Sequence, residues 1–289
     1  MSDEAAMLYA EVIGDPISQS KSPLIHGFWL TKLGIAARYG SQRVTPDGLA
    51  SYLTERRADP HWRGCNITMP LKQAAIPLLD KIQPQAAAIG AVNTVYCDRD
   101  GALIGTNTDA PGFLEPLADT LKADHLFRMA RIIGTGGAAR AIITALAQHN
   151  FTLVVAGRDE AKARALLDEL AADGEHHVAP LSHFAGATDF AFDDREGCLD
   201  LVVNASPLGM RGSPALAFDW SHAPPGSIAY DIVTDPLETP FLKDAAAAGF
   251  STIGGLAMLI GQAAVSFETF FGEAPPREFD AQLLEILRG

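Results

Sequence analysis

The sequence predicts an α/β fold in two lobes. The chain has 289 residues, and at roughly 150 residues per domain this length suggests about two domains. Short apolar runs rich in β-branched residues alternate with helical patterns along the whole chain. From residue 131 onward the pattern tightens into strand–helix–strand units, which are typical of a parallel sheet covered by helices on both faces.

The composition excludes several classes of protein. Lys and Arg together number 22 and Asp and Glu number 35, so the formal net charge at pH 7 is −13. Because a negative field repels phosphate backbones and anionic lipid, we expect no nucleic-acid partner and no membrane partner. Hydrophobic residues make up 48% of the chain and charged residues 20%, which is too apolar for a disordered protein.

Cysteine usage and the apolar stretches predict a cytoplasmic protein. Cys65, Cys97 and Cys198 are odd in number and widely spaced, which argues against a disulfide framework and against a cysteine zinc site. Residues 1–4 lack the basic and apolar regions of a signal peptide. The most apolar stretch, residues 253–267, is too short to span a bilayer.

The histidines do not predict a metal site either. His176, His177 and His183 have no acidic partner at ligand spacing, and adjacent side chains in a strand point to opposite faces. We therefore interpret them as surface or loop residues and expect no metal.

Turn and capping residues divide the first lobe into strands and helices. We predict strands at residues 8–13, 62–68, 91–97 and 102–105, the last two joined as a hairpin by residues 98–101. We predict one helix that has Ser22 as its N-cap and ends at Gly34, a second that begins at residues 45–47, and a third that begins at residues 69–72. Thr108 and Asp109 have the pattern of a helix cap.

The second lobe shows the repeated strand and helix pattern more clearly. We predict strands at residues 131–133, 152–156, 199–204 and 227–232, and helices at residues 138–149, 160–172, from 254 onward and at 277–288. A border near residues 110–121 gives a first domain of residues 1–110 and a second of residues 111–254, with a cleft between them.

A glycine-rich loop opens the second lobe. Residues 132–139 read I-I-G-T-G-G-A-A, which fits G-x-G-x-x-A directly after a strand and at the start of a helix. Glycines also serve ordinary turns, but the surrounding strand–helix–strand unit favours a Rossmann dinucleotide-binding domain. There Gly134 permits the tight turn, Gly136 lets the backbone approach a pyrophosphate, and Ala139 allows close packing. The pyrophosphate is expected at the helix N-terminus, along Gly134, Thr135, Gly136, Gly137, Ala138 and Ala139.

The end of the next strand favours NADP over NAD. Arg158 offers a planar fork for a 2′-phosphate, and Lys162 adds a charge one helical turn further on. Two alternatives remain open. In the first, Asp159 holds a ribose in the manner of an NAD site. In the second, Arg158 and Lys162 are solvated charges and Asp159 only caps the helix.

Small polar residues cluster at strand ends of the first lobe. Ser20 and Ser22, Asn66 and Thr68, Asn93 and Asp109 lie beside Gly or Pro, and Gln262 lies in a small-residue helix further along the chain. Ligands of open α/β sheets bind at such ends, and hydroxyl and amide groups suit a small polyhydroxylated acid.

Lys72 and Asp109 are the candidates for acid–base chemistry. Moving a hydride to or from a carbinol carbon also moves a proton on its oxygen, which a lysine oriented by a carboxylate can carry. The alternative is that Lys72 is a surface residue and Asp109 only caps a helix.

Eight short segments occur in the order found in one enzyme family. They are residues 12–26 (V-I-G-D-P-I-S-Q-S-K-S-P-L-I-H), 66–72 (N-I-T-M-P-L-K), 90–94, 107–109, the glycine loop, 204–210, 230–233 and 258–264. Almost from end to end, the chain resembles the shikimate dehydrogenase family, which includes quinate dehydrogenases.

The resemblance implies an NADP-dependent, reversible reduction of 3-dehydroshikimate to shikimate in aromatic amino-acid synthesis. It implies that Lys72 and Asp109 are the acid–base pair and that Arg158 and Lys162 meet the 2′-phosphate. The substrate carboxylate is expected on Ser20 and Ser22, the substrate hydroxyls on Asn66, Thr68, Asn93 and Gln262, and the cofactor along the glycine loop, Asn204, Ile232 and Gly255. Similar proteins have C-terminal helices, here residues 255–289, that rejoin the substrate domain, and we expect a monomer or homodimer.

Four departures from the family pattern leave the specificity open. Gln19 occupies a position where the family usually has His, and residues 157–159 read G-R-D where the family usually has N-R-T. Thr234 replaces a Tyr of the family, and Ala257 stands where Gly is common. A quinate or related hydroxy-acid dehydrogenase that uses NAD is the first alternative. A ligand-sensing relative without catalysis is the second.

Overall fold

A computed structural model of the chain describes residues 7–192 and 195–289. The prediction that residues 1–4 carry no signal peptide lies outside these described residues. The chain folds into two compact units: the described residues up to Asp109 together with Ile260–Gly289, and Ala110–Leu259. The assignment of residues 1–110 with 255–289 to the substrate and of residues 111–254 to the dinucleotide stays a prediction.

Strands and helices alternate along both units. The strands are β1 (Leu8–Gly14), β2 (Ala37–Arg43), β3 (Trp62–Ile67), β4 (Lys81–Ile82), β5 (Thr94–Cys97), β6 (Leu103–Thr106), β7 (Phe127–Ile133), β8 (Thr152–Gly157), β9 (His177–Pro180), β10 (Cys198–Asn204), β11 (Ile228–Asp231) and β12 (Ser251–Ile253). The helices are α1 (Ser22–Leu33), α2 (Leu49–Arg57), α3 (Pro84–Ile89), α4 (Asp109–Leu114), α5 (Ala118–Lys122), α6 (Gly137–Gln148), α7 (Glu160–Leu170), α8 (Pro240–Ala247), α9 (Gly255–Phe271) and α10 (Asp280–Arg288). The predicted α/β fold is confirmed.

The first unit contains a mixed sheet. Its six described strands lie in the order β2-β1-β3-β5-β6-β4. β1 is parallel to β2 and β3, whereas β5 runs antiparallel to both β3 and β6. The predicted hairpin is confirmed, since the Asp98 N–H donates to the Ala102 carbonyl at 2.9 Å. The core of this unit includes Trp62, Cys65 and Leu71, all buried.

The second unit contains an all-parallel sheet. Its six described strands lie in the order β12-β11-β10-β7-β8-β9. Counted from β7, this is the 3-2-1-4-5-6 order of the Rossmann fold, whose strand order reverses between its first and fourth strands. Here that reversal falls between β7 and β10. The polar groups that follow these two strands are therefore expected to face a ligand.

Four details of the first unit differ from the sequence predictions. Residues 69–75 form turns instead of a helix, because the Lys72 carbonyl accepts the Val92 N–H at 2.8 Å instead of an N–H one helical turn ahead. The N-cap of α1 is Lys21, and Ser22 is the first helical residue. A short 3-10 turn, Pro46–Gly48, precedes α2. At the start of α4, the side chain that accepts a backbone N–H is that of Asn107, whose Oδ1 accepts the Asp109 N–H at 2.9 Å.

Strands β2, β4, β9 and β12 were not predicted from the sequence. All four are edge strands of their sheets. His177 was interpreted as a surface or loop residue; it is exposed, but it lies in a strand, because it pairs with Val154 as the first residue of β9. Among the described residues, no helix is long and apolar enough to cross a membrane.

Candidate active site

Lys72 and Asp109 form a close ion pair in the first unit. Lys72 lies in the turn that follows β3, and Asp109 is the first residue of α4, with two residues between it and the end of β6. The Lys72 Nζ donates to Asp109 Oδ2. The exposed fraction is 15% for the lysine side chain and 2% for the carboxylate. The carboxylate is thus shielded from water while the ammonium group stays partly accessible.

Asn93 holds the Asp109 carboxylate from its other side. Its Nδ2 donates to Asp109 Oδ1 at 2.9 Å, and it also lies 3.0 Å from Thr108 Oγ1 and 3.2 Å from Gln262 Oε1. Its Oδ1 accepts the Thr108 N–H at 2.8 Å and the Thr94 hydroxyl at 3.0 Å. These bonds define which way the amide faces and bring four predicted site residues together: Lys72, Asp109, Asn93 and Gln262.

Asn66 joins this group through Thr94. The Asn66 Nδ2 donates to Thr94 Oγ1 at 2.9 Å, and its Oδ1 accepts the Tyr39 hydroxyl at 2.6 Å. Ser266 on α9 lies 3.4 Å from the same Oδ1. Sequence analysis missed Tyr39, Thr94 and Ser266, although Thr94 lies within the segment that contains Asn93.

Thr68 directly follows β3, whereas Ser20 and Ser22 lie at the start of α1. The Ser22 N–H lies 3.3 Å from Ser20 Oγ at the start of α1. Among the described residues, no hydrogen bond is recorded between these three side chains and the Lys72–Asp109 pair. Lys21, which stands between the two serines, donates to the Leu287 carbonyl of α10 at 2.9 Å. Its ammonium group is therefore used at the C-terminus of a helix, where a cation is favourable.

The glycine loop lies between β7 and α6 in the second unit. Gly134 has φ +129°, and a Cβ built on it would lie 2.6 Å from the Ala205 carbonyl oxygen, so no other residue fits there without displacement. Gly136 precedes α6 as its N-cap, with no side-chain hydrogen bond to the helix. A Cβ built on Gly136 meets no atom within 4 Å. The space beside Gly136 at the N-terminus of α6 is therefore open, and a helix N-terminus suits a pyrophosphate.

The end of β8 carries the charged residues predicted for the 2′-phosphate. Arg158 and Lys162 are exposed, and no side-chain ion pair is recorded for either within the described part of the chain. Asp159 is the N-cap of α7, and its Oδ1 accepts the Lys162 N–H at 3.1 Å. One carboxylate oxygen of Asp159 is therefore engaged with the helix.

Asn204, Ile232 and Gly255 lie at the carboxyl ends of β10 and β11 and at the start of α9. A Cβ on Gly255 would lie 2.4 Å from the Val233 carbonyl oxygen and 2.6 Å from that of Ile232. Close backbone approach is therefore sufficient to explain glycine at this position. Within the described ranges, no group of three or more His, Cys, Asp or Glu residues is arranged to hold a metal ion.

Family comparisons match both ends of the chain. A model of the shikimate dehydrogenase substrate binding domain matches residues 12–95, and a model of the shikimate 5'-dehydrogenase C-terminal domain matches residues 255–285. Shikimate dehydrogenase (NADP(+)) of Sphingopyxis alaskensis is 47% identical over 288 residues, which cover 99% of each chain. The chain belongs to the shikimate dehydrogenase family.

Solved structures of the family have the same fold. Shikimate 5-dehydrogenase of Thermus thermophilus, in complex with NADP(H) and shikimate, is 34% identical, with a TM-score of 0.78 over 97% of this chain and 100% of that one. Quinate dehydrogenase of Corynebacterium glutamicum, in complex with NAD, is 32% identical, with a TM-score of 0.81 over 97% of this chain and 99% of that one. The predicted family and Rossmann fold are confirmed.

The family matches include all six residues predicted for substrate binding, together with Lys72. Ser20, Ser22, Asn66, Thr68, Lys72 and Asn93 lie within the first match, and Gln262 lies within the second. Among the departures from the family pattern, Gln19 is exposed and Thr234 is half-buried. The individual roles of these residues are predictions.

Proposed function

We propose that this protein catalyses the NADP-dependent, reversible reduction of 3-dehydroshikimate to shikimate, a step of aromatic amino-acid synthesis. The observation that carries the proposal is the Lys72–Asp109 pair, partly shielded from water and held by Asn93, in a chain of this family. A lysine and a carboxylate in contact suit a reaction that moves one proton with each hydride.

Lys72 carries the proton in this proposal. When bound, NADPH would supply the hydride for the carbonyl carbon of 3-dehydroshikimate. The Lys72 Nζ gives a proton to the carbonyl oxygen, which becomes the hydroxyl of shikimate, and regains one from solvent. Asp109 Oδ2 accepts from the same Nζ and orients it toward the substrate oxygen. In the reverse direction Lys72 takes the hydroxyl proton as the hydride leaves.

The amide nitrogen of Asn93 has more acceptors within reach than it has donors. An amide nitrogen carries two N–H donors, yet Asn93 Nδ2 has three acceptors within reach, and the Gln262 oxygen at 3.2 Å is the most distant. A substrate hydroxyl can replace this weakest contact and then bind both amides. Asn66 and Thr68 bind further hydroxyls, and Ser20 and Ser22 bind the carboxylate.

The second unit binds the cofactor in this proposal. The first-turn N–H groups of α6 bind the pyrophosphate because they have no acceptor within the helix. Arg158 and Lys162, both exposed at the end of β8, pair with the 2′-phosphate. Ile232 and Gly255 line the path of the nicotinamide end.

A second candidate function is the oxidation of quinate or a related acid with NAD. Asp159 favours it, because a carboxylate after the second Rossmann strand commonly holds the ribose hydroxyls of NAD. Asp159 Oδ1 accepts the Lys162 N–H, which leaves Oδ2 available for a ribose.

The test is reduction of NADP⁺ and NAD⁺ by the purified protein, with shikimate and quinate in parallel, followed by nicotinamide absorbance. Turnover on shikimate with NADP⁺ is the expected result. Turnover mainly with NAD⁺ or quinate would support the second candidate. Binding of shikimate without reduction of either cofactor would contradict both and indicate a sensor. A cytoplasmic location and a monomeric or homodimeric state stay predictions.

A further inference from the structure

Asp231 is a buried carboxylate at the end of β11. It is 0% exposed, and no described cation lies within ion-pair distance of it. Burial raises its pKa, which shows that the charged form is costly in this environment. Three donors offset that cost: the Thr239 hydroxyl at 2.5 Å, Asn204 Nδ2 at 3.0 Å and the Val233 N–H at 3.0 Å.

Asn204 connects Asp231 to the loop that follows β10, residues 205–213, here called the β10 loop. Besides Asp231, Asn204 Nδ2 donates to the Leu208 carbonyl at 2.9 Å. Its Oδ1 accepts the Ser206 hydroxyl at 2.7 Å and the Ser206 N–H at 3.1 Å. An asparagine amide has two donors and two lone pairs, so this side chain is fully occupied within the protein.

The β10 loop contacts the glycine loop directly. The Ala205 N–H donates to the Ile133 carbonyl at 2.8 Å. The Ala205 carbonyl oxygen lies so close to Gly134 that a Cβ there would be 2.6 Å away. A shift of the β10 loop would therefore press on the turn that faces the pyrophosphate.

Asp231 also orders the loop after β11, residues 232–239, here called the β11 loop. It accepts the Val233 N–H near the start of this loop and the Thr239 hydroxyl at its end. The carbonyl oxygens of Ile232 and Val233 abut Gly255 at the start of α9. The β10 loop thus packs against Gly134 and the β11 loop against Gly255, each so closely that a Cβ on the glycine would clash with a carbonyl oxygen of the loop.

The two loops have a second connection at their outer ends. Arg211 pairs with Asp235 at 2.8 Å, but the arginine side chain is 77% exposed, and exposed ion pairs contribute little. The Arg211 N–H also donates to the Asp235 carbonyl at 2.9 Å, so the bonds of Asp231 are the buried connection between the loops and these are the outer one.

We propose that Asp231 is a positioning residue for NADP, which acts through Asn204 and Val233 to place the β10 and β11 loops against the glycines that face the cofactor. The inference rests on the proposed function. Asp231 itself does not touch the cofactor in this arrangement.

The test is the dissociation constant of NADP⁺, measured by titration calorimetry without substrate. T239V removes the hydroxyl that donates to Asp231 and is expected to weaken NADP⁺ binding roughly tenfold. Ser206 is a half-exposed residue of the β10 loop, and S206A removes its hydroxyl bond to Asn204. This variant is expected to weaken NADP⁺ binding roughly threefold. T239S keeps the hydroxyl and should bind like the wild type.

The matched control is T144V. Thr144 lies on α6 of the same unit, and its buried hydroxyl has no recorded partner in the described structure, so T144V should bind NADP⁺ like the wild type. Thr239 also caps α8 by accepting the Leu242 N–H at 3.3 Å. T239V will therefore lower Tm, and binding is measured well below Tm. The KM for shikimate should stay within about twofold of the wild type in T239V and S206A.

The outcomes separate the inference from the proposed function. Wild-type protein that binds no NADP⁺ would contradict the cofactor of the proposed function. Wild-type binding with unchanged affinity in folded T239V and S206A would overturn the positioning role alone. Equal weakening in T144V and T239V would also overturn it, because any loss of a buried hydroxyl would then have the same effect.

Discussion

Asn93 Nδ2 donates to Asp109 Oδ1 at 2.9 Å, while Lys72 donates to Oδ2 of the same carboxylate. Each oxygen of Asp109 therefore has its own donor. Rotation of the carboxylate would break both bonds, so these bonds fix its orientation. They thereby also fix the position of the Lys72 ammonium group. A proton donor held in this way is ready for transfer before the substrate arrives.

The first prediction concerns Lys72. K72M keeps most of the side-chain volume but has no proton to transfer, so we expect kcat to fall by roughly 10² to 10⁴. The dissociation constant of NADP⁺ should stay within about twofold. Steady-state kinetics and cofactor titration measure the two quantities separately.

The matched control for this variant is K81M. Lys81 also pairs with an aspartate of the first unit, Asp98, but its side chain is 62% exposed. K81M should retain wild-type kcat, because exposed ion pairs contribute little. Wild-type turnover in K72M would show that another group carries the proton.

The second prediction concerns cofactor choice at Asp159. Threonine also serves as an N-cap, so D159T should preserve α7 with a change of less than about 1 kcal/mol in the free energy of unfolding. It removes a negative charge next to Arg158. We expect the ratio of kcat/KM for NADP⁺ over NAD⁺ to rise roughly tenfold, since about 1.4 kcal/mol of repulsion is relieved.

D168N is the control for D159T. Asp168 is an exposed acid further along α7, and its removal changes the net charge by the same amount. The cofactor ratio of D168N should equal that of the wild type. An equal rise in both variants would assign the effect to net charge and not to the position of Asp159.

The third prediction concerns acid stability and His26. This side chain is 0% exposed and stacks on Tyr39 with 3.8 Å between ring centroids. Burial lowers the pKa of His26 from 6.5 to about 3. Because the unfolded chain binds a proton below pH 6.5 and the folded chain does not, stability is lost as pH falls from 6.5 toward 3, at about 1.4 kcal/mol per pH unit.

H26F keeps an aromatic ring on Tyr39 but cannot bind a proton. The free energy of unfolding of H26F is measured in urea between pH 7 and pH 4. Below pH 6.5 it should fall less steeply than that of the wild type, by about 1.4 kcal/mol per pH unit. H177Q changes an exposed histidine and should follow the wild type. Parallel pH profiles of H26F and the wild type would show that His26 is protonated in the folded state.

The glycine loop and its flanking elements were predictable because their signals are local. The order strand, Gly134, Gly136, Ala139, helix lies within eight consecutive residues, and each residue type has a direct steric reason. The same holds for the hairpin at residues 98–101 and for the end of α1 at Gly34. In these segments the pattern of neighbouring residues was sufficient to predict the conformation.

Tyr39 and residues 69–75 were not predictable in this way. β2 is an edge strand in which Tyr39 is the one buried residue, so its sequence lacks the alternation that marks a strand. The Pro70 segment has a helix-start pattern, but the Lys72 carbonyl is bound by Val92, twenty positions along the chain. A long-range backbone bond overrode the local preference.

Local sequence thus established the α/β pattern, the Rossmann motif and the identity of the polar groups at the strand ends, because steric and hydrogen-bonding preferences act between near neighbours. The pairing of Lys72 with Asp109 and of Asn204 with Asp231 depended on the tertiary structure. These partners are 37 and 27 residues apart in the chain. Only the sheet, which brings the carboxyl ends of distant strands to one edge, makes such side chains neighbours.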